Sequence, residues 1–164
     1  MILRDEDPRD VDAICDLTQS AFAPMAYADG NEGPAIAQMR RAGELTISLV
    51  AEVSNEVVAH IAFSPALIDD THAGWYALGP VAVRPDHQGQ GIGRAIIEAG
   101  LARLRDTGAA GCVLIGDPAL YSRFGFTCEN ALTYRTLATR YVQFIAFTAP
   151  PPAGEVRFVD ALEA

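Results

Sequence analysis

The chain has 164 residues, half of them hydrophobic and a fifth charged, with a formal net charge of -9. That size predicts one domain, residues 1–164, with a core of its own, and no apolar run is long enough to cross a membrane. The acidic balance argues against nucleic acid as a partner and favours a cationic one such as an amine. Cys15, Cys112 and Cys128 are widely spaced and lack any paired metal-ligand spacing. Residues 1–6 have neither a basic start nor an apolar leader, so reduced thiols, a cytoplasmic location and no metal are expected.

Residues 2–4 read as a short first strand. Asp7 or Asp10 can cap the helix that follows, with Pro8 near its start. Ile14, Leu17, Ala21 and Phe22 fall on one face, so this helix runs to about Phe22. Residues 24–33 are irregular and read equally as a lid over a substrate or as a plain connector. A second helix is expected over 34–41, ending before Gly43. Residues 47–53 alternate as a strand. Ser54, Asn55 and Glu56 turn the chain, and 57–63 return as the next strand of a hairpin. Residues 76–83 are the fourth strand. Pro80 lies inside it and cannot donate to a ladder, so Gly79-Pro80 predicts a break in pairing.

A third helix spans about 91–107. Residues 111–115 are a short apolar run, as expected of a buried strand parallel to the fourth and reached by a right-handed crossover. Asp117 and Pro118 fit the N-cap and first position of a fourth helix that closes at Gly125. Phe126 opens an expected sixth strand. Residues 142–147 and 155–159 read as a final hairpin across a proline-rich link, 150–154.

The most informative stretch is 78–94. An apolar strand meets a stop at Pro85, then Gly89, Gly91 and Gly93 at every second position, then helical spacing at Ile92, Ala95, Ile96 and Ala99. The first N–H groups of a helix have no intrahelical partner, and the dipole there favours negative charge. Glycines let a phosphate come close to them. A dinucleotide fingerprint starting at Gly89 would need a glycine at 94, where the chain has Arg94. A P-loop would need a lysine, and the chain has none. A tight strand-to-helix connection without a ligand is the plain alternative.

What fits is Gln88-x-x-Gly91-x-Gly93. It resembles the acetyl-coenzyme A pyrophosphate loop of the GNAT N-acetyltransferases, whose pattern is Arg/Gln-x-x-Gly-x-Gly/Ala. One helix and one strand later, residues 120–126 (Leu-Tyr-Ser-Arg-Phe-Gly-Phe) resemble that family's Tyr-x-x-x-Gly-Phe motif. Residues 58–65, 78–83, 116–118 and 156–159 look like its YhbS-like subgroup. The resemblance covers nearly the whole chain. It implies an α/β (α+β) GNAT fold: a mixed, mostly antiparallel, twisted sheet of about seven strands with helices on both faces. Strands four and five would be parallel and splayed where the thioester arm enters.

The resemblance also implies an acetyl-coenzyme A-dependent N-acetyltransferase with a small-molecule or peptide amine as acceptor. The amine, a small molecule or an amino terminus, would attack the thioester directly in a ternary complex. Cofactor contacts carry over to Val81, Ala82 and Val83 on the strand and to Gln88, Gly89, Gln90, Gly91, Ile92, Gly93 and Arg94 on the loop. Pro118, Tyr121 and Arg123 carry over on the fourth helix. The Val81 N–H is placed to stabilise the developing oxyanion, and Tyr121 to protonate the departing thiolate; a thiol and a phenol differ by about two pKa units. Residues 75–83 contain no acid, so the general base is either His60 or relayed water. His60 alternates with Val58 and Ala62 and reads more readily as a packed residue. Two other readings stay open: a non-enzymatic acyl-coenzyme A sensor or interaction module, and acyl transfer to a non-amine acceptor. Either a monomer or a homodimer is compatible.

Overall fold

The computed structural model of the chain describes residues 1–163 other than 27, 130, 149 and 151. Tyr27, in the segment read as a lid, and Pro151, in the proline-rich link, lie outside the described residues. The chain divides into two compact units, Met1–Phe63 with Gly79–Arg103 and Ser64–Leu78 with Leu104–Ala164.

In the first unit, β1 (Ile2–Asp5) leads to a single 3-10 turn and α1 (Val11–Phe22). Both acids offered as caps act on the 3-10 turn, while Asp10, the N-cap of α1, makes no side-chain cap bond there. Asp7 accepts from the Arg9 N–H at 3.1 Å, and Asp10 accepts from the Asp7 N–H at 2.7 Å. Next come α2 (Glu32–Arg41), β2 (Ile47–Val53) and β3 (Glu56–Pro65). β1 and β3 flank β2, both antiparallel to it. Ser54 and Asn55 make the β2–β3 turn with φ of 52° and 65°, the left-handed pair that a tight hairpin requires.

β4 (Leu67–Ile68) precedes β5 (Trp75–Val83), and α3 (Ile92–Asp106) follows it. Ala82 packs with Leu17 and Ala21 of α1, whereas a Cβ on Gly93 of α3 would lie 3.5 Å from Val83. Neighbouring strand residues point to opposite faces, so α1 and α3 cover opposite faces of this sheet. Gly100 lets α3 come close: a Cβ there would stand 2.6 Å from the Phe63 ring.

In the second unit, β6 (Gly111–Ile115) leads to α4 (Pro118–Tyr121), β7 (Leu132–Thr133), β8 (Val142–Ala146), β9 (Gly154–Arg157) and α5 (Asp160–Glu163). Trp75, Val113, Leu132, Val142, Phe144 and Val156 form its core. A Cβ on Gly111 would lie 2.4 Å from the indole of Trp75, so this tryptophan is strand packing.

The hydrogen-bonded strand order is β1-β2-β3-β5-β6-β8 in one sheet and β4-β9-β7 in another. The fold class matches the expected mixed, mostly antiparallel α/β sheet. β5 and β6 are the parallel pair, in register over Trp75–Ala77 and Gly111–Val113. Several expectations need correction. The strand count is not among them: a sheet of about seven strands is expected and six form the larger sheet among the described residues, while β4 and β7 are two-residue strands too short to leave a pattern. The final hairpin is not formed. β8 pairs antiparallel with β6, and β9 pairs with β4 and β7. The cause is local to each strand: Val142 and Phe144 bury themselves beside Val113, while Asp69 accepts from the Glu155 N–H at 2.8 Å. The sixth strand at Phe126 reduces to an isolated bridge between Thr127 and Phe144. β5 itself is one continuous strand through Gly79 and Pro80, but its pairing with β6 stops at Ala77, so the break in pairing expected there is present.

Candidate active site

One candidate segment, in the first unit, is the end of β5 and the loop after it. The Arg84 N–H donates to the Val58 carbonyl of β3 at 2.7 Å. Donors alternate along a strand, so the Ala82 N–H faces β3 and the Val81 and Val83 N–H groups face the other edge. Ala82 is buried under α1, whereas Val81 and Val83 are half-buried. The Gln88 side chain donates back to the Val83 carbonyl at 3.0 Å and pins the loop to the strand end. Gly89 and Gly91 have φ of +77° and +83°, which only glycine adopts without strain. The first bond of α3 runs from the Ala95 N–H to the Gly91 carbonyl, which leaves the first-turn N–H groups of Ile92, Gly93 and Arg94 without intrahelical acceptors.

Gly93 differs from the other two glycines. Its φ is not left-handed, and its missing Cβ would make only an ordinary contact with Val83. Nothing in the protein itself requires a glycine there. The helix dipole and the unpartnered first-turn N–H groups favour an anion at this end of α3. The guanidinium groups beside the loop are already paired with acids. Arg84 is bound to Asp86 at 2.7 Å and to Glu56 at 3.1 Å, and the exposed Arg94 pairs with Glu98 at 2.9 Å.

A separate candidate segment, in the second unit, is the turn after β6. Asp117 accepts from the Ala119 N–H at 2.9 Å and is the N-cap, with Pro118 at the first helical position. α4 is shorter than expected. It ends at Tyr121 and tightens into a 3-10 turn, Ser122–Phe124, before Gly125 reverses the chain with φ of 96°. Tyr121 is half-buried, and its ring lies 6.0 Å from that of Phe126 and 6.4 Å from that of Phe124, centroid to centroid. Arg123 is exposed on the same turn.

His60 sits elsewhere in the first unit and is fully buried. Its Nε2 is 2.8 Å from the Ser48 hydroxyl, which in turn hydrogen-bonds the Glu6 carboxylate. Arg40 clamps Glu6 at 2.7 and 3.0 Å. Burial pushes the His60 imidazole down to about 4; the nearby Glu6 charge only partly opposes this, and Arg40 adds to it. Burial raises the Glu6 carboxyl, but hydrogen bonds from Arg40 and Ser48 outweigh it and hold the group below its usual range. His60 is thus neutral at pH 7, with one ring nitrogen engaged and Nδ1 buried without a partner among the described residues. Glu6, Arg40 and Ser48 also line a shallow cavity of about 260 Å³. No sequence motif announced this network.

A family model described as an acetyltransferase (GNAT) domain matches residues 44–128, which include the glycine loop and Tyr121. The chain belongs to the GNAT acetyltransferase family. An uncharacterised N-acetyltransferase of Escherichia coli, YhbS, is 37% identical over 127 residues, 77% of this chain and 73% of that protein. The crystal structure of a GNAT family acetyltransferase from Brucella melitensis with acetyl-coenzyme A is 45% identical. It superposes with a TM-score of 0.89 over 98% of this chain and 97% of its own. The crystal structure of Escherichia coli YhbS with coenzyme A superposes with a TM-score of 0.90 at 29% identity, over 99% of this chain and 92% of its own. This GNAT chain is therefore an acyltransferase by family.

Proposed function

We propose that residues 1–164 act as one domain that transfers the acetyl group of acetyl-coenzyme A to a primary amine, of a small molecule or an amino terminus, in a ternary complex. The observation that carries the reading is the loop after β5. Its first-turn N–H groups lack intrahelical acceptors, and at Gly93 it has a glycine that neither backbone angle nor packing demands. The Brucella melitensis relative, 45% identical, binds acetyl-coenzyme A.

In this reading the N–H groups of Gly91 to Arg94 hold the pyrophosphate, with Gln88, Gly89 and Gln90 shaping the approach. The Val83 N–H and the Val81 carbonyl pair with the amides of the pantetheine arm like an added strand. The Val81 N–H accepts the negative charge that develops on the thioester oxygen. The amine nitrogen forms a bond to the carbonyl carbon, and the carbon–sulfur bond breaks. Tyr121 gives its phenolic proton to the leaving sulfur and recovers a proton from solvent. The proton lost by the amine passes to water, since His60 is buried and already engaged by Ser48. Pro118 and Arg123 flank the arm on the α4 turn. A cytoplasmic location, with Cys15, Cys112 and Cys128 reduced, belongs to the same reading.

The test is Tyr121→Phe, which keeps the ring and removes the proton. General acid catalysis is typically worth about a hundredfold or more. The single-turnover rate with an accepted amine is expected to fall by at least about that factor, with acetyl-coenzyme A affinity within a few-fold. An unchanged single-turnover rate would remove Tyr121 from the chemistry.

A further inference from the structure

The turn that carries Tyr121 contains a glycine with no conformational reason to be one. Gly116 links β6 to the Asp117 cap, and its φ is not left-handed. Packing explains it instead. A Cβ on Gly116 would stand 2.5 Å from Cε2 and 2.9 Å from Cδ2 of Tyr121, and 3.2 Å from the Leu114 side chain. The first distance is far inside van der Waals contact, so the phenol ring lies directly on the bare Cα.

The peptide beneath the ring is fixed on both sides. The Gly116 N–H donates to the Tyr141 carbonyl at 3.1 Å. The Gly116 carbonyl accepts from Nε2 of Gln143 at 2.8 Å. Gln143 is only 1% exposed and sits in the otherwise apolar β8, opposite Leu114. Burying an amide there is costly unless it is bonded, and the Gly116 carbonyl is its acceptor. On its other sides the ring meets Phe124 and Phe126. Its backbone N–H is held by the Asp117 carbonyl at 3.1 Å.

We propose that Gly116 and Gln143 form a seat that sets the position of the Tyr121 hydroxyl, and that both are positioning residues for acetyl transfer. The proposal rests on the reading of Tyr121 as the proton donor. Proton transfer needs the hydroxyl within hydrogen-bond reach of the leaving sulfur, and a displacement of about 1 Å can cost about a hundredfold in rate. Restoring ordinary contact around a Cβ at position 116 demands a ring shift of about that size. Replacing Gln143 frees the Gly116 carbonyl and loosens the same seat from below.

A double-mutant cycle with a structural readout tests this. Thiol release from acetyl-coenzyme A is measured in single turnover, with water and with a mixture of primary alkylamines as acceptors. The proteins are wild type, Gly116→Ala, Gln143→Leu, Tyr121→Phe and each pair with Tyr121→Phe. In parallel, 3-fluorotyrosine placed at position 121 reports the ring by fluorine NMR. Gly116→Ala is expected to slow release by about tenfold to a hundredfold, and Gln143→Leu by less. Acetyl-coenzyme A affinity should stay within about twofold. In the Tyr121→Phe background both effects should vanish, because the hydroxyl being positioned is gone. The fluorine resonance should move in both seat variants.

Equal losses in the presence and absence of the hydroxyl, or a fluorine resonance that stays in place, would overturn the seat while leaving the role of Tyr121 intact. A Tyr121→Phe protein as fast as wild type would overturn the underlying reading instead. If Gly116→Ala does not fold, Gln143→Leu decides by the same cycle and the same resonance.

Discussion

Two regions of the first unit both offered site residues, and they are built in opposite ways. The loop from Gln88 to Arg94 keeps its backbone donors available. Its glycines stand in open space or ordinary contact, and one side chain, Gln88, ties it down. Around His60 the polar groups largely satisfy one another: Arg40 on Glu6, Ser48 on Glu6, and His60 on Ser48. Donors held in reserve can serve a ligand; donors committed to a buried network serve the fold. The difference predicts that substitutions in the loop change binding with little effect on stability, and that substitutions at His60 do the reverse.

The largest expected effect tests the loop. Gly91→Glu places a carboxylate where the pyrophosphate would lie, and it adds left-handed strain of about 1–2 kcal/mol. Coenzyme A affinity measured by calorimetry should fall by about a hundredfold or more, with the protein still folded. Unchanged affinity would put the phosphate site elsewhere and erase the contrast.

His60→Ala should do the opposite. Removing a buried imidazole leaves a cavity and strands the Ser48–Glu6 bond, at a cost of about 2–4 kcal/mol. The melting temperature should drop by roughly 5–15 °C. The pH profile of acetyl transfer should keep its shape. A lost ionisation near neutral pH with an unchanged melting temperature would make His60 catalytic instead.

The buried histidine also sets a pH window for stability. Its folded pKa, about 4, lies below the ordinary histidine value of 6.5. Between these values the unfolded chain takes up a proton that the folded chain does not. This stabilisation is complete above 6.5, declines as pH falls through the window, and is lost at about 4. Glu6, held below its usual range, weakens the fold in the same direction at lower pH. Melting curves from pH 7 to pH 4 should show the decline, and His60→Gln should flatten its upper part.

The smallest effect separates the glycines within the loop. Gly91→Ala forces a Cβ into φ of +83° and should cost about 1 kcal/mol. Gly93→Ala removes a flexible residue from the first turn of α3 and should stabilise by roughly 0.5 kcal/mol. Chemical denaturation of the two variants should therefore shift in opposite directions. A matching loss in both would mean that packing fixes position 93 after all.

Much of this was legible from local pattern. Glycine spacing marked the loop, alternation marked β2, a short apolar run marked β6, and Asp117-Pro118 marked a helix start. The network around His60 was not, because its bonds join residues 34 and 42 positions apart, Arg40 to Glu6 and Ser48 to Glu6. The strand partners of β8 and β9 were missed for the same reason: two adjacent strands joined by a link read as a hairpin until both sheets are seen. Gln143 left a trace that could have been used. A lone amide inside Val-Gln-Phe-Ile signals a buried acceptor nearby, and that acceptor is Gly116.

The central claim is acetyl transfer from acetyl-coenzyme A to a primary amine. The most direct measurement incubates the protein with acetyl-coenzyme A and a panel of primary amines and amino-terminal peptides. Free thiol and product mass are followed together. The account predicts that at least one amine gains the mass of one acetyl group in step with one thiol released. Tight coenzyme A binding with no acetylated amine and no thiol beyond the background would contradict it and identify a sensor that binds without turnover.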